Sequence, residues 1–191
     1  MTTVTDKTNE SAKDVLASAM TTLMRTTPVE NITVRQICEE AGFSRQTFYR
    51  CFADKYDLIN WRFDILLNRS FDQMGSGKTI YEGLVKKFEY IKEEYVFFRA
   101  AFASDKQNNL RDHDYEMIFA FYQDLLHRKG MTEIPEDILD ILDMYCWSSV
   151  YMTVKWVMHE LPYPPCKLAE KMMRAMPYDL AEVYRKFGIL R

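Results

Sequence analysis

Residues 33–55, TVRQICEEAGFSRQTFYRCFADK, gather side chains that suit nucleic-acid chemistry. Arg and Gln bond base edges through paired hydrogen bonds, Arg to guanine and Gln to adenine. Arg45 and Tyr49, and likewise Gln46 and Arg50, are four positions apart, so on a helix each pair shares one side. Thr33 and Ser44 stand where helices should begin, and the free N–H groups of a helix start favour a phosphate. Lys55, at the next expected start, adds a point charge. Phosphate positioners beside base readers are what recognition of double-stranded DNA requires. The candidate DNA-contacting residues are Thr33, Ser44, Arg45, Gln46, Thr47, Tyr49, Arg50 and Lys55.

These residues need two short helices held at a fixed angle. Thr33 followed by Gln36 reads as a capping box, opening a helix to about Glu40 that stops at Ala41 and Gly42. Ser44 opens a second helix. A tight turn carrying glycine between two short helices is the spacing of a helix-turn-helix. Ile37, Ala41, Phe48 and Phe52 are expected to face inward, with the small Cys38 where the helices cross. Asp54 then caps a third start, with Asp57 at its third position.

The remaining chain also reads as helix. Residues 1–9 are polar and expected to be frayed. From Ser11 apolar positions recur every three to four residues as far as Thr27 and Pro28, where proline disfavours a helical predecessor. The helix from Asp54 runs past Trp61 towards Gly75 and Gly77, the expected hinge. One stretch spans 79–103, a loop covers 104–109, and a further helix ends at Gly130, a natural C-cap. Pro135 opens a long helix to about Leu161. Three prolines, a segment at 168–176 and a last piece to Phe187 complete an all-α chain. Asp112, His113 and Asp114 read as a solvated loop or cap, and His127 and His159 as surface residues.

Composition excludes several classes. Of 191 residues only 6 are Gly and 6 Pro, too few for a turn-rich all-β or collagen-like chain. The 12 Phe, 12 Tyr, 3 Trp and 12 Met provide a sizeable core, too apolar for disorder. The formal charge of −3 announces no basic field, and residues 33–55 carry four positive against three negative groups. A single head should therefore bind weakly, and a dimer doubles its contacts. Cysteines 38, 51, 146 and 166 have no CxxC spacing. With no apolar signal segment at the start and no membrane-length apolar run, they read as free thiols in a reducing cytoplasm. No nucleophile–base pair, phosphate loop or metal-spaced cluster points to an enzyme, and no cofactor is expected.

Residues 11–61 resemble the DNA-binding domain of the TetR family of transcriptional regulators. The resemblance rests on Ile32, Thr33, Val34, Ile37, Ala41, Gly42, Ser44, Thr47, Tyr49, Phe52, Lys55 and Leu58. It implies a three-helix head and a helical body that dimerises and often holds a small ligand. It also implies Tyr49 and Lys55 as phosphate contacts, with Arg45, Gln46 and Thr47 facing the groove. Cys51 stands where the family often has His, and Phe48 where Leu is commoner. In the body, Tyr95–Ala103 and the Trp147, Trp156, Pro164 pattern are similar to small-bodied members, some related to activators of dihydroxyacetone-kinase operons.

The expected division is a head at 8–68 and a body at 69–191 that forms a homodimer. The function read from this is a DNA-binding regulator, a repressor acting on a palindromic operator and relieved by a small apolar or aromatic effector. The alternative is a co-regulator whose body binds a protein partner. Phe88, Tyr95, Phe98, Phe102, Phe121, Tyr122, Trp147 and Tyr151 are the pocket candidates, although each singly reads as core. Tyr145, Val150, Met152, Val154, Val157, Met158, Met172, Met173 and Met176 exceed what one bundle face needs and are expected at the dimer seam.

Overall fold

The computed structural model describes the backbone of residues 4–75, 79–104 and 110–190, and side chains from residue 12 onward except 73–78, 105–109 and 191. These residues form ten α-helices and no strand: α1 Val4–Leu23, α2 Val34–Ala41, α3 Arg45–Cys51, α4 Lys55–Gly75, α5 Ile80–Glu93, α6 Tyr95–Ala103, α7 Leu110–Arg128, α8 Glu136–Met158, α9 Pro165–Arg174 and α10 Tyr178–Lys186. A 3-10 turn, Val29–Asn31, precedes α2. The chain divides into two compact units, Met1–Leu66 with Val96–Asn108, and Leu67–Tyr95 with Asn109–Arg191.

In the first unit α1 packs on α2 and α3. Its buried stripe is Ala12, Leu16, Ala19 and Met20, the three-to-four spacing of the sequence. The helix begins at Val4, so most of the polar segment expected to fray is helical. Once a helix is nucleated, each added residue costs little, and the anchored part lets the polar turns propagate. Ile37, Phe48, Phe52, Leu58 and Ile59 complete this core, while Ala41 is only half-buried. Each large side chain there contributes about 1.5–3 kcal/mol through burial. Phe63 of α4 meets Phe98 and Phe102 of α6 edge-on at 5.7 and 6.0 Å.

The stretch expected to run unbroken over 79–103 is two helices, parted at Glu94 with no glycine or proline. The division between units falls one residue further on, between Tyr95 and Val96. Gly75 is the last residue of α4; Gly77 and most of the loop expected at 104–109 lie outside the described residues.

In the second unit α5 packs on α9, α7 on α8 and α8 on α10. Trp156 lies edge-on to Phe88 at 5.8 Å and donates its indole N–H to the carbonyl of Tyr163 at 2.8 Å. Tyr145 donates to the carbonyl of Met172, and Tyr122 stacks on Tyr184. Gly130 takes a left-handed φ of 101° as the chain leaves α7. Asp114 is not in a solvated loop: it lies on α7, buried, 3.8 Å from the buried ammonium of Lys87. His127 and His159 are exposed, as expected. The seam residues are corrected as well. Tyr145, Val150, Val154, Val157 and Met172 are buried within this unit. The apolar side chains that α8 leaves open are Met144, Trp147, Tyr151 and Met158. A helix with apolar residues on nearly every side does not announce which face is covered.

Candidate nucleic-acid interface

The two short helices are fixed by reciprocal caps. Thr33 Oγ1 accepts from the Gln36 N–H at 3.2 Å, and Gln36 Oε1 accepts from the Thr33 N–H at 2.9 Å, a complete capping box. Gly42 closes α2 at φ 69°, its N–H shared between the carbonyls of Cys38 and Glu39. Phe43 N–H returns to the Cys38 carbonyl at 2.9 Å. Left-handed backbone is the one conformation at this corner that side chains resist. Ser44 Oγ then accepts from the Thr47 N–H at 3.1 Å and opens α3.

Phe48 sets the orientation of α3. Its side chain is wholly buried, packed against the rings of Tyr49 and Phe52, and Phe52 in turn meets Trp61 at 5.5 Å. Lys13 of α1 lies over both Phe52 and Trp61, at 5.3 and 5.5 Å from the ring centres, an anchor the sequence reading missed. With Phe48 turned inward, Arg45, Gln46, Tyr49 and Arg50 are exposed and Thr47 is half-buried. Arg45 stacks over the Tyr49 ring and donates to its hydroxyl at 3.5 Å, as the four-residue spacing required. Arg35, on α2, is held by Glu39 at 2.7 Å. Burial raises the pKa of the Cys38 thiol, which suits a packing residue at the crossing.

Lys55 stands apart from the other candidates. Its Nζ donates to the carbonyls of Val29, Glu30 and Ile32 at 2.7, 2.8 and 2.8 Å. An ammonium has three donors, so all are engaged with backbone. Partial burial lowers its pKa from the usual lysine value. Asp54 caps α4 as read, accepting from the N–H groups of Tyr56 and Asp57, while Asp57 accepts from Ala53.

The structure does not gather the pocket candidates. Phe98 and Phe102 pack in the first unit. In the second, Phe88 packs on Trp156, Phe121 on Phe71, and Tyr122 on Tyr184, while Tyr95 is half-buried. Trp147 and Tyr151 alone share a described cavity, a surface groove of about 390 Å³ on α8. Phe121 and Phe71 line a separate cleft of about 660 Å³ with Asn68, Asp72, Asp124 and Arg128.

A capped pair of helices with a buried aromatic hinge and an open polar face defines a helix-turn-helix regulator. The family described as bacterial regulatory proteins, tetR family, matches residues 16–60, and its transcriptional regulator C-terminal region matches residues 78–178. The chain belongs to the TetR family of transcriptional regulators, and is a regulator and not an enzyme. It is 28% identical over 96 residues to the HTH-type dhaKLM operon transcriptional activator DhaS of Lactococcus lactis subsp. lactis (strain IL1403). That match spans 48% of this chain and 49% of the relative. The fold is similar to the solved dihydroxyacetone kinase operon activator DhaS, at TM-score 0.61 and 18% identity over 94% of this chain and 98% of that one. It is also similar to a tetR-family transcriptional regulator from Streptomyces coelicolor, at TM-score 0.62 and 17% identity over 94% and 82%. No helix among the described residues is long and apolar enough to cross a membrane.

Proposed function

We propose that this regulator acts in the cytoplasm as a homodimer on a palindromic operator and represses by occluding it, with residues 8–68 as the head and 69–191 as the body. The observation that carries the DNA-binding role is the division of α3. Phe48 is fully buried, while Arg45, Gln46, Tyr49 and Arg50 are open to solvent. In this reading Arg45, Gln46 and Thr47 enter the major groove and Tyr49 and Arg50 contact phosphate, while Thr33 and Ser44 hold the helix starts. Two heads reading one palindrome need half-sites about 34 Å apart. An apolar or aromatic effector would act only through unequal affinity for two spacings of the heads.

The test is an operator shift assay with Tyr49→Ala and Arg45→Ala. Each is expected to weaken binding to the cognate palindrome at least tenfold, and wild-type affinity in both would overturn the assignment. DhaS is named an activator, so a reporter fused to the operator decides the sign of regulation. A second reading, a body that recognises a protein, is supported by Phe121, Phe88 and Tyr122 packing on the core rings of Phe71, Trp156 and Tyr184 while α8 leaves apolar side chains open. Thermal-shift screening separates the two, since a small-molecule effector must raise the melting temperature of the folded body.

A further inference from the structure

Residues 33–55 hold three arginines, and each is held differently. Arg35 of α2 is bound by the Glu39 carboxylate at 2.7 Å, which neutralises its charge. Arg50, in the last turn of α3, is exposed and has no side-chain hydrogen bond or ion pair among the described residues. Arg45, the first residue of α3, donates to the Tyr49 hydroxyl at 3.5 Å and lies over the Tyr49 ring, 5.8 Å from its centre. The Tyr49 ring is itself fixed from beneath. It meets the wholly buried Phe48 edge-on, with ring centres 5.5 Å apart and planes at 86°. A chain of contacts thus runs from the core through Tyr49 to the tip of Arg45.

The neutrality of this partner matters. A carboxylate orients a guanidinium and cancels its charge, whereas a phenol orients it and leaves the charge intact. Arginine has five N–H donors, and one is on Tyr49. Paired bonds to guanine O6 and N7 need two of the four that remain. The first residues of a recognition helix are the ones that meet base edges. Holding a long side chain in its bound direction beforehand reduces the freedom it loses on contact. The Tyr49 hydroxyl also keeps a function of its own. A phenol both accepts and donates, so accepting from Arg45 leaves its proton for a phosphate oxygen.

We infer that Arg45 reads a guanine in each half-site and that Tyr49 is its positioning residue, coupling the backbone contact to the base contact. The inference rests on the operator-binding reading proposed above; it adds the base that is selected and a second role for Tyr49. Gln46, exposed beside Arg45, has no side-chain hydrogen bond among the described residues. Discrimination is therefore expected to concentrate at the base that the held arginine meets.

The test uses the full chain and an operator that it selects from random duplexes. Each guanine of one half-site is replaced in turn by 7-deazaguanine, which pairs normally and lacks the N7 acceptor. At one position the replacement is expected to weaken wild-type binding about tenfold, the loss of a paired contact. Arg45→Ala is expected to bind those two duplexes alike, within about twofold. Tyr49→Phe keeps the ring and loses the hydroxyl. Its preference at that position is expected to fall to about threefold, with the preference at every other position unchanged. Loss of a phosphate bond alone lowers affinity for both duplexes by the same factor, so an unchanged ratio in Tyr49→Phe overturns the positioning role. If no guanine depends on Arg45, the base assignment falls and DNA binding stands. Failure to select any duplex overturns the operator reading itself. Both side chains are exposed, so circular dichroism verifies folding of each variant.

Discussion

The ammonium of Lys55 donates to the carbonyl of Ile32 at 2.8 Å, tying the first residue of α4 to the residue that precedes the Thr33 cap. Two further bonds, to Val29 and Glu30, complete the tie. A residue read as a phosphate contact is in this structure a clamp on the backbone that introduces α2. The two roles differ in their salt dependence. Each phosphate neutralised adds about 0.9 to the slope of log affinity against log salt. Lys55→Met is therefore expected to lower operator affinity across all salt concentrations with the slope unchanged. Arg50→Met should lower the slope by about 1 per head. Fluorescence anisotropy over a potassium chloride series reads both, and a reduced slope for Lys55→Met would restore it to the phosphate set.

Gly42 supplies a second test, separable into strain and clash. A Cβ built at this position meets nothing within 4 Å, so only the left-handed φ of 69° resists a side chain. For an ordinary residue that conformation costs about 1–2 kcal/mol. Gly42→Ala is expected to lose about that much stability in denaturant titration. Gly42→Asn, which tolerates the conformation better, should lose less. Equal losses would mean that the turn is held by something other than backbone conformation.

What was legible in the sequence was local. The caps at Thr33, Gly42, Ser44 and Asp54 each depend on a partner within four positions, and all four form. The inward turn of Phe48 followed from helical spacing. The illegible features are set by distant chain. Lys55 finds carbonyls 23 to 26 positions away, and Lys87 finds Asp114 on another helix. The break at Glu94 has no residue that demands it. On α8 the valines expected at a seam are core, and the larger Met144 and Tyr151 are open, because apolar periodicity marks a covered face without saying what covers it.

The Lys87–Asp114 pair joins α5 to α7 at 3.8 Å with both side chains 3% exposed, and Asp114 Oδ1 has no hydrogen-bond partner among the described residues. Removing one member of such a pair leaves an uncompensated buried charge, at about 3–5 kcal/mol. Lys87→Met and Asp114→Leu are each expected to fall in that range in denaturant titration. The double variant should lose far less than their sum, since a well-packed apolar pair often replaces a buried ion pair without loss. Additive losses would show that the two charges do not compensate each other.

The same pair sets a pH dependence with a definite sign. Burial raises the pKa of Asp114 above the ordinary carboxylate value, against the lowering by Lys87 and, more weakly, by His113. Cys146 of α8, whose thiol burial pushes up to about 12, and Asp143 complete the titratable surroundings. A carboxyl with a raised folded pKa binds its proton more tightly folded than unfolded. Its contribution to stability is therefore greatest at low pH and falls as pH rises, from the unfolded value near 3.9 through the raised folded value. In Lys87→Met/Asp114→Leu neither charge remains, so that contribution is absent. Melting temperatures of the two proteins measured from pH 4 upward should diverge in one direction, wild type losing ground to the double variant with each step. Parallel curves over that range would mean that Asp114 titrates alike in the folded and unfolded chain.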